Sequence, residues 1–323
     1  MNATNADMLA IDPSAMAEHI QRIIREQVLS HLRRRGIVVG LSGGVDSSVV
    51  AALASRALGR DRVLALLMPE RDASSDALKL GLMVAKALGI PFVIEDVTPL
   101  LDAAGCYQRQ IDAIRKVFPD YGKGFRCKVV LPSILESGRI SVSRLIIETP
   151  SGQQASKRMD ADSYRELIAA TSFKQRMRKT MEYYHADRLG YAVAGTPNRL
   201  EYDQGFFVKQ GDGAADLKPI AHLFKTQVYA LAAHLGIPEE IRRRPPTTDT
   251  YSLEQTQEEF FFSVPYQKMD VFLWAFERGV STVEAARRTG LTPEQAERVY
   301  TDIIAKRRAA RYLHTPPLMV EEI

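Results

Sequence analysis

The sequence predicts an α/β protein: a doubly wound parallel sheet with a β-hairpin insertion and a small C-terminal helical segment. Three observations carry this. Apolar runs at 37–41, 62–68, 91–95 and 191–194 are short and rich in Val, Ile, Leu and Ala, the pattern of strands buried on both faces. Stretches of helical period separate the first three, with short joints, which is the rhythm of βαβ units. From about 121 to 159 the rhythm breaks into two β-branched runs with a long polar connection.

Each element follows from local chemistry. Residues 1–13 read as a polar leader. Pro13-Ser14 opens a helix whose apolar positions Met16, Ile20, Ile23, Ile24, Val28 and Leu29 keep a period near 3.6. The run 37–41 leads into Ser42-Gly43-Gly44-Val45-Asp46-Ser47-Ser48 and a helix from about 46 to 58. A helix over 75–88 stops at Gly89, and the loop 70–75 should cover a ligand at the strand ends. In the insertion, runs 125–131 and 141–148 are joined through Glu136-Ser137-Gly138-Arg139 and closed by Pro150-Ser151-Gly152. This hairpin is either a surface flap or dimerisation arm, or a lid that meets substrate. A long basic helix over about 161–189 follows, with Lys174 and Arg178 four apart on one face. That face either meets an anionic substrate or is simply solvated. A helix over 225–235 ends at Gly236-Ile237-Pro238, a core helix covers 270–276, and helices at 281–288 and 292–306 form a pair. The expected division is a leader at 1–13, a main domain at 14–279 carrying the insertion, and an extension at 280–323.

Composition narrows the class. The chain has 323 residues and a net charge of +4, which suits an anionic substrate and equally a solvated surface. Its two cysteines, Cys106 and Cys127, form neither a disulfide framework nor a zinc site, so a reducing, cytoplasmic setting is expected. No apolar run approaches membrane-spanning length, and no signal-peptide layout opens the chain. Residues 282–300 imitate a helix-turn-helix. The second helix opens with Pro293-Glu294-Gln295 and carries Glu297, a poor face for phosphates, so no nucleic-acid partner is expected.

The chemistry concentrates at residues 42–48. Strand, glycine turn and helix N-terminus bring free N–H groups and the positive dipole end to one place, a phosphate site. The hydroxyls of Ser42, Ser47 and Ser48 add donors. Asp46 would repel a phosphate unless a cation lies between them, which points to a Mg²⁺-bridged pyrophosphate. A capped helix after a tight turn is the plainer reading. Gly195-Thr196-Pro197-Asn198-Arg199-Leu200-Glu201 sits at the carboxyl end of the last strand, facing that loop, so Glu201 is a candidate second carboxylate for the metal. Lys209, beside Gly211-Asp212-Gly213, either holds a transferring phosphate or marks a hairpin turn.

Ser42-Gly43-Gly44-Val45-Asp46-Ser47 resembles the signature of PP-loop ATP pyrophosphatases, which split ATP between the α- and β-phosphates to form an adenylate. Downstream, Lys174-Gln175-Arg176-Met177-Arg178, the run 195–201, Gly205-Phe206-Phe207-Val208-Lys209-Gln210-Gly211-Asp212-Gly213, Asp216-Leu217-Lys218-Pro219-Ile220, Lys225-Thr226-Gln227-Val228 and Pro246-Thr247-Thr248-Asp249 resemble the NAD synthase family, in order. The resemblance covers roughly 15–115 and 165–275. It implies an adenine nucleotide α-hydrolase-like fold and an AMP-forming ligase. Such an enzyme adenylates the nicotinate carboxylate of deamido-NAD, releases pyrophosphate and lets ammonia displace AMP. It further implies ATP binding by Ser42, Gly43, Gly44, Asp46, Ser47, Ser48, Met68 and Thr196, and Mg²⁺ on Asp46 and Glu201. Lys209 is implied to act on phosphate, with Lys174, Arg176, Arg178, Asp212, Asp216 and Lys225 at the substrate, in a homodimer whose basic helix lies near the partner. The run 252–262 and the insertion depart from the family pattern, so a different carboxylate acceptor stands as the alternative. A tRNA-modifying relative or a nucleotide sensor is the further one.

Overall fold

The computed structural model describes residues 8–131, 133–135, 143–248 and 250–321. The expected connection 136–139, the first residues of the second insertion strand (141–142), residues 1–7 of the leader and Asp249 lie outside the described residues. Four parallel strands form the central sheet: β1 (Ile37–Gly40), β2 (Val63–Leu67), β3 (Phe92–Ile94) and β7 (Ala192–Ala194), in the order β3-β2-β1-β7. Alternation along β1 shows why both faces are covered. Ile37 and Val39 face a core built with the helices Pro13–Arg25, Val45–Leu58, Ser75–Leu88 and Lys225–His234. Val38 faces the other way, with Leu64, Leu66 and Val193, onto Ala186 of the helix Ala161–Leu189. This is the doubly wound α/β sheet expected. The switch in strand order falls between β1 and β7, where such sheets open a crevice at their carboxyl ends. Among the described residues no helix is long and apolar enough to cross a membrane.

The insertion is larger than a hairpin. It is a three-stranded antiparallel sheet of β4 (Arg126–Val130), β5 (Arg144–Glu148) and β6 (Gln154–Arg158). The third strand escapes sequence reading because every residue in it is exposed, leaving no apolar alternation to see. As expected, it stands apart from the parallel sheet. Its apolar face, Cys127, Val129, Leu145 and Ile147, is covered by this chain's own Ala113, Ile114, Phe118, Leu167 and Tyr251. Leu131 N donates to Glu259 O at 2.9 Å and Leu253 N to Cys127 O at 3.0 Å. The insertion therefore braces the strap of chain at 251–262.

The C-terminal helices run Thr282–Thr289 and Pro293–His314, the second well beyond the expected end at 306. They pack with the helix Tyr266–Glu277 around Phe272, Ala285, Val299 and Ile303. The added turns bring Tyr312 and Leu313 to the sheet's crevice.

Candidate active site

A cavity of about 790 Å³ lies at the carboxyl ends of β1, β2 and β7. One corner of it is the loop after β1. Gly44 caps the helix Val45–Leu58 with no side-chain hydrogen bond, so the first-turn N–H groups are left for a ligand. Ser42 and Ser47 line the cavity with their hydroxyls 3.2 Å apart. Two residues expected to bind ATP are not on the cavity wall. Gly43 takes φ +77°, and a Cβ there would meet Leu80 Cβ at 2.8 Å and Ala77 O at 2.9 Å, so it serves the turn and the close approach of the next helix. The Ser48 hydroxyl is buried and donates to Gly44 O at 2.7 Å, inside its own helix turn and off the cavity wall. Met68 and Thr196 do line the cavity.

Beside this corner is a buried charged cluster. Asp46 pairs with the Lys225 ammonium and accepts a hydrogen bond from Asn198 Nδ2 at 3.1 Å. Glu201, also on the wall, accepts from Asn198 N at 3.0 Å and from Gln257 Nε2 at 2.9 Å. Burial, then the Asp46 charge, raises the Glu201 carboxyl above the ordinary carboxylate range. Burial alone would lower the Lys225 ammonium, but Asp46 and Glu201 outweigh it and hold it raised. Two carboxylates share one corner with a single lysine, an arrangement in which a bound cation would favour ionisation of both. All their donors are hard oxygens, so the pair fits a divalent cation such as Mg²⁺. Among the described residues no group of three or more His, Cys, Asp or Glu side chains forms a metal cluster.

On the far walls, Arg176, Arg178, Asp212 and Lys209 all face the cavity. The Lys209 ammonium donates to Tyr312 O and Thr315 O, each at 2.9 Å, and lies 4.3 Å from the centre of the Tyr312 ring. Arg176 Nε donates to Lys209 O at 3.2 Å, and Arg178 Nε to Met68 O at 3.4 Å. Asp212 Oδ1 accepts from Val208 N at 2.7 Å.

Lys174 and Asp216 lie elsewhere, away from the cavity wall. Lys174 is 1% exposed and makes ion pairs to Glu70 at 3.2 Å and Asp72 at 2.7 Å. Asp216 accepts from Val193 N at 2.7 Å and from the Tyr183 hydroxyl at 3.3 Å, fastening the chain to β7. The sequence reading missed Asn198, Gln257, Glu182 and Tyr312. Asn198 is three residues before Glu201, the capping-box spacing that the structure bears out, so its signal was present. Glu182 is four residues after Arg178, a same-face position. Gln257 and Tyr312 carry no local signal, since long-range packing alone brings them in.

Comparison with known proteins gives the family. The family model described as NAD synthase matches residues 16–117 and 139–312. The chain is 57% identical to an NH3-dependent NAD+ synthetase of Mesorhizobium japonicum, over 98% of this chain and 99% of that one. It is 56% identical to the enzyme of the same name from Rhizobium meliloti, over 99% and 95%. Among solved structures, the NH3-dependent NAD synthetase of Campylobacter jejuni shares the fold at TM-score 0.63 and 23% identity, covering 97% of this chain and all of that one. The NMN synthetase of Francisella tularensis does so at TM-score 0.67 and 20% identity, over 96% and 99%.

Proposed function

Since the chain belongs to the NAD synthase family, we propose that it is an AMP-forming ligase that amidates deamido-NAD with ammonia. The carrying observation is the helix N-terminus at Val45–Ser47, without a side-chain cap, directly beside the Asp46–Lys225–Glu201 cluster in one cavity.

A carboxylate is a poor electrophile until one oxygen is joined to a good leaving group. The nicotinate carboxylate attacks the α-phosphorus of ATP and pyrophosphate departs, giving the acyl adenylate. The N–H groups at Val45–Ser47 hold the phosphates, and Arg176 and Arg178 add positive charge from the opposite wall. Asp46 and Glu201 would hold Mg²⁺, which when bound neutralises charge on the phosphates. Lys225 pairs with Asp46, and Asn198 and Gln257 fix the carboxylate oxygens. Lys209 already has two acceptors, so exchanging one carbonyl for a phosphate oxygen keeps its donors filled. Ammonia then attacks the adenylate carbonyl, and AMP leaves.

We place the reaction in the cytoplasm, which the free, buried thiols of Cys106 and Cys127 support. A homodimer is also proposed. Its support is family likeness together with Tyr184, exposed on the long basic helix, and light scattering at micromolar concentration tests it. The functional test is AMP, pyrophosphate and amide release from ATP and ammonium with a panel of carboxylates, deamido-NAD first. Deamido-NAD is expected to be turned over best, with glutamine unable to replace ammonium. AMP release with another carboxylate but not deamido-NAD overturns the acceptor, and no AMP with any overturns the activity.

A further inference from the structure

We propose that Glu182 docks the ammonium ion and takes its proton. The inference rests on the amidation proposed above and names a role for a residue outside the ATP corner. Glu182 projects from the helix Ala161–Leu189 onto the cavity wall, 6% exposed. Its Oε2 is held by the Lys179 ammonium at 2.5 Å. No hydrogen bond among the described residues reaches Oε1. That oxygen lies over the end of β1, where a Cβ added to Gly40 would stand 2.8 Å from it. With no donor from the described residues and its residue on the cavity wall, Oε1 is left for a hydrogen-bond donor among the reactants.

Charge narrows the choice. ATP and deamido-NAD bring phosphates and a carboxylate, which this oxygen repels. Ammonium is the one cationic reactant with N–H donors, since the pyridinium ring of deamido-NAD carries none. Asp212, whose Oδ1 is occupied by Val208 N, adds negative charge nearby. Burial first, with Asp212 adding, pushes the Glu182 carboxyl up, while Lys179 and Arg178 oppose this. A carboxylate made more basic in this way is suited to accept a proton. Lys179 also lines an outer hollow of about 430 Å³ with Tyr183, Asp187 and Gln210, so the ion pair stands between that hollow and the cavity.

In the step, an ammonium proton passes to Glu182 Oε1 and frees the nitrogen lone pair. The lone pair forms the C–N bond at the adenylate carbonyl. The tetrahedral intermediate loses its second surplus proton to water and collapses, breaking the acyl C–O bond, and AMP departs with that electron pair. Glu182 returns its proton to solvent before the next turnover.

The test is Glu182→Gln, with steady-state kinetics for each substrate and hydroxylamine as a second nucleophile, neutral at assay pH. Losing a charge-assisted hydrogen bond should raise the ammonium KM about tenfold or more. The KM values for ATP and deamido-NAD should move less than about twofold on the same scale, and hydroxamate formation should persist. The double variant Lys179→Met with Glu182→Gln leaves no unpaired buried lysine and should show the same split. An unchanged ammonium KM, or equal losses with ammonium and hydroxylamine, overturns the proposal. Failure of the wild-type chain to make amide from deamido-NAD is a different result, and it removes the functional reading and this one together.

Discussion

Lys174→Met separates a structural lysine from a substrate-binding one. The side chain is 1% exposed, that of Glu70 is fully buried, and that of Asp72 is 13% exposed. Removing the ammonium leaves Glu70 with the Tyr107 hydroxyl at 2.9 Å and Asp72 N at 3.1 Å, both neutral donors. Breaking a buried pair by deleting one partner costs about 3–5 kcal/mol, because the remaining charge stays desolvated. At roughly 2–4 °C per kcal/mol the melting temperature should fall by about 6 °C or more. Lys174 Nζ also donates to Thr250 O at 3.4 Å, so it ties the loop after β2 to the chain at Thr250. Ser74 of that loop and Thr250 both line the cavity, so a modest rise in KM should accompany the lost stability. Adding Glu70→Gln removes one orphaned charge and should restore at least about 1 kcal/mol, a coupling typical of residues in contact. The assay is thermal and urea unfolding of the single and double variants beside substrate kinetics. A Lys174→Met protein of wild-type stability with a strongly raised KM for deamido-NAD would refute the reasoning and return Lys174 to the substrate site.

Asp46→Asn should cut pyrophosphate release by about a hundredfold or more, the scale of one lost electrostatic contact at a reacting phosphate; near-normal turnover in Mg²⁺ would sink its role. Lys209→Gln removes two charge-assisted bonds to the end of the last helix, so amide exchange around Tyr312–Thr315 should speed up on the order of tenfold. Asp270 accepts from Lys225 N and Thr226 N, and burial pushes its carboxyl up to about 6. A raised folded value means the folded state binds the proton more tightly, so the stability of the wild type relative to Asp270→Asn should be greatest below pH 4. It should then decline by about 3 kcal/mol by pH 7, and urea titrations showing no such trend would count against it.

The parallel sheet and the glycine turn after β1 were legible because their signals are local. A buried strand declares itself in five residues, and a glycine turn before a helix carries its own geometry. Signals failed where a residue's job depends on a partner far along the chain. Lys174 meets Glu70 across 104 positions, and Lys209 meets Tyr312 across 103. Helical spacing correctly put Lys174 and Arg178 close together on the helix Ala161–Leu189, but it could not show where that face meets the rest of the fold. Arg178 stands at the cavity, whereas one turn earlier the loop after β2 closes over the helix and buries Lys174. A row of cations on a helix therefore fixes which side chains are neighbours. It does not fix which are ligands, because a lysine that finds two carboxylates of its own chain has no charge left to offer a substrate.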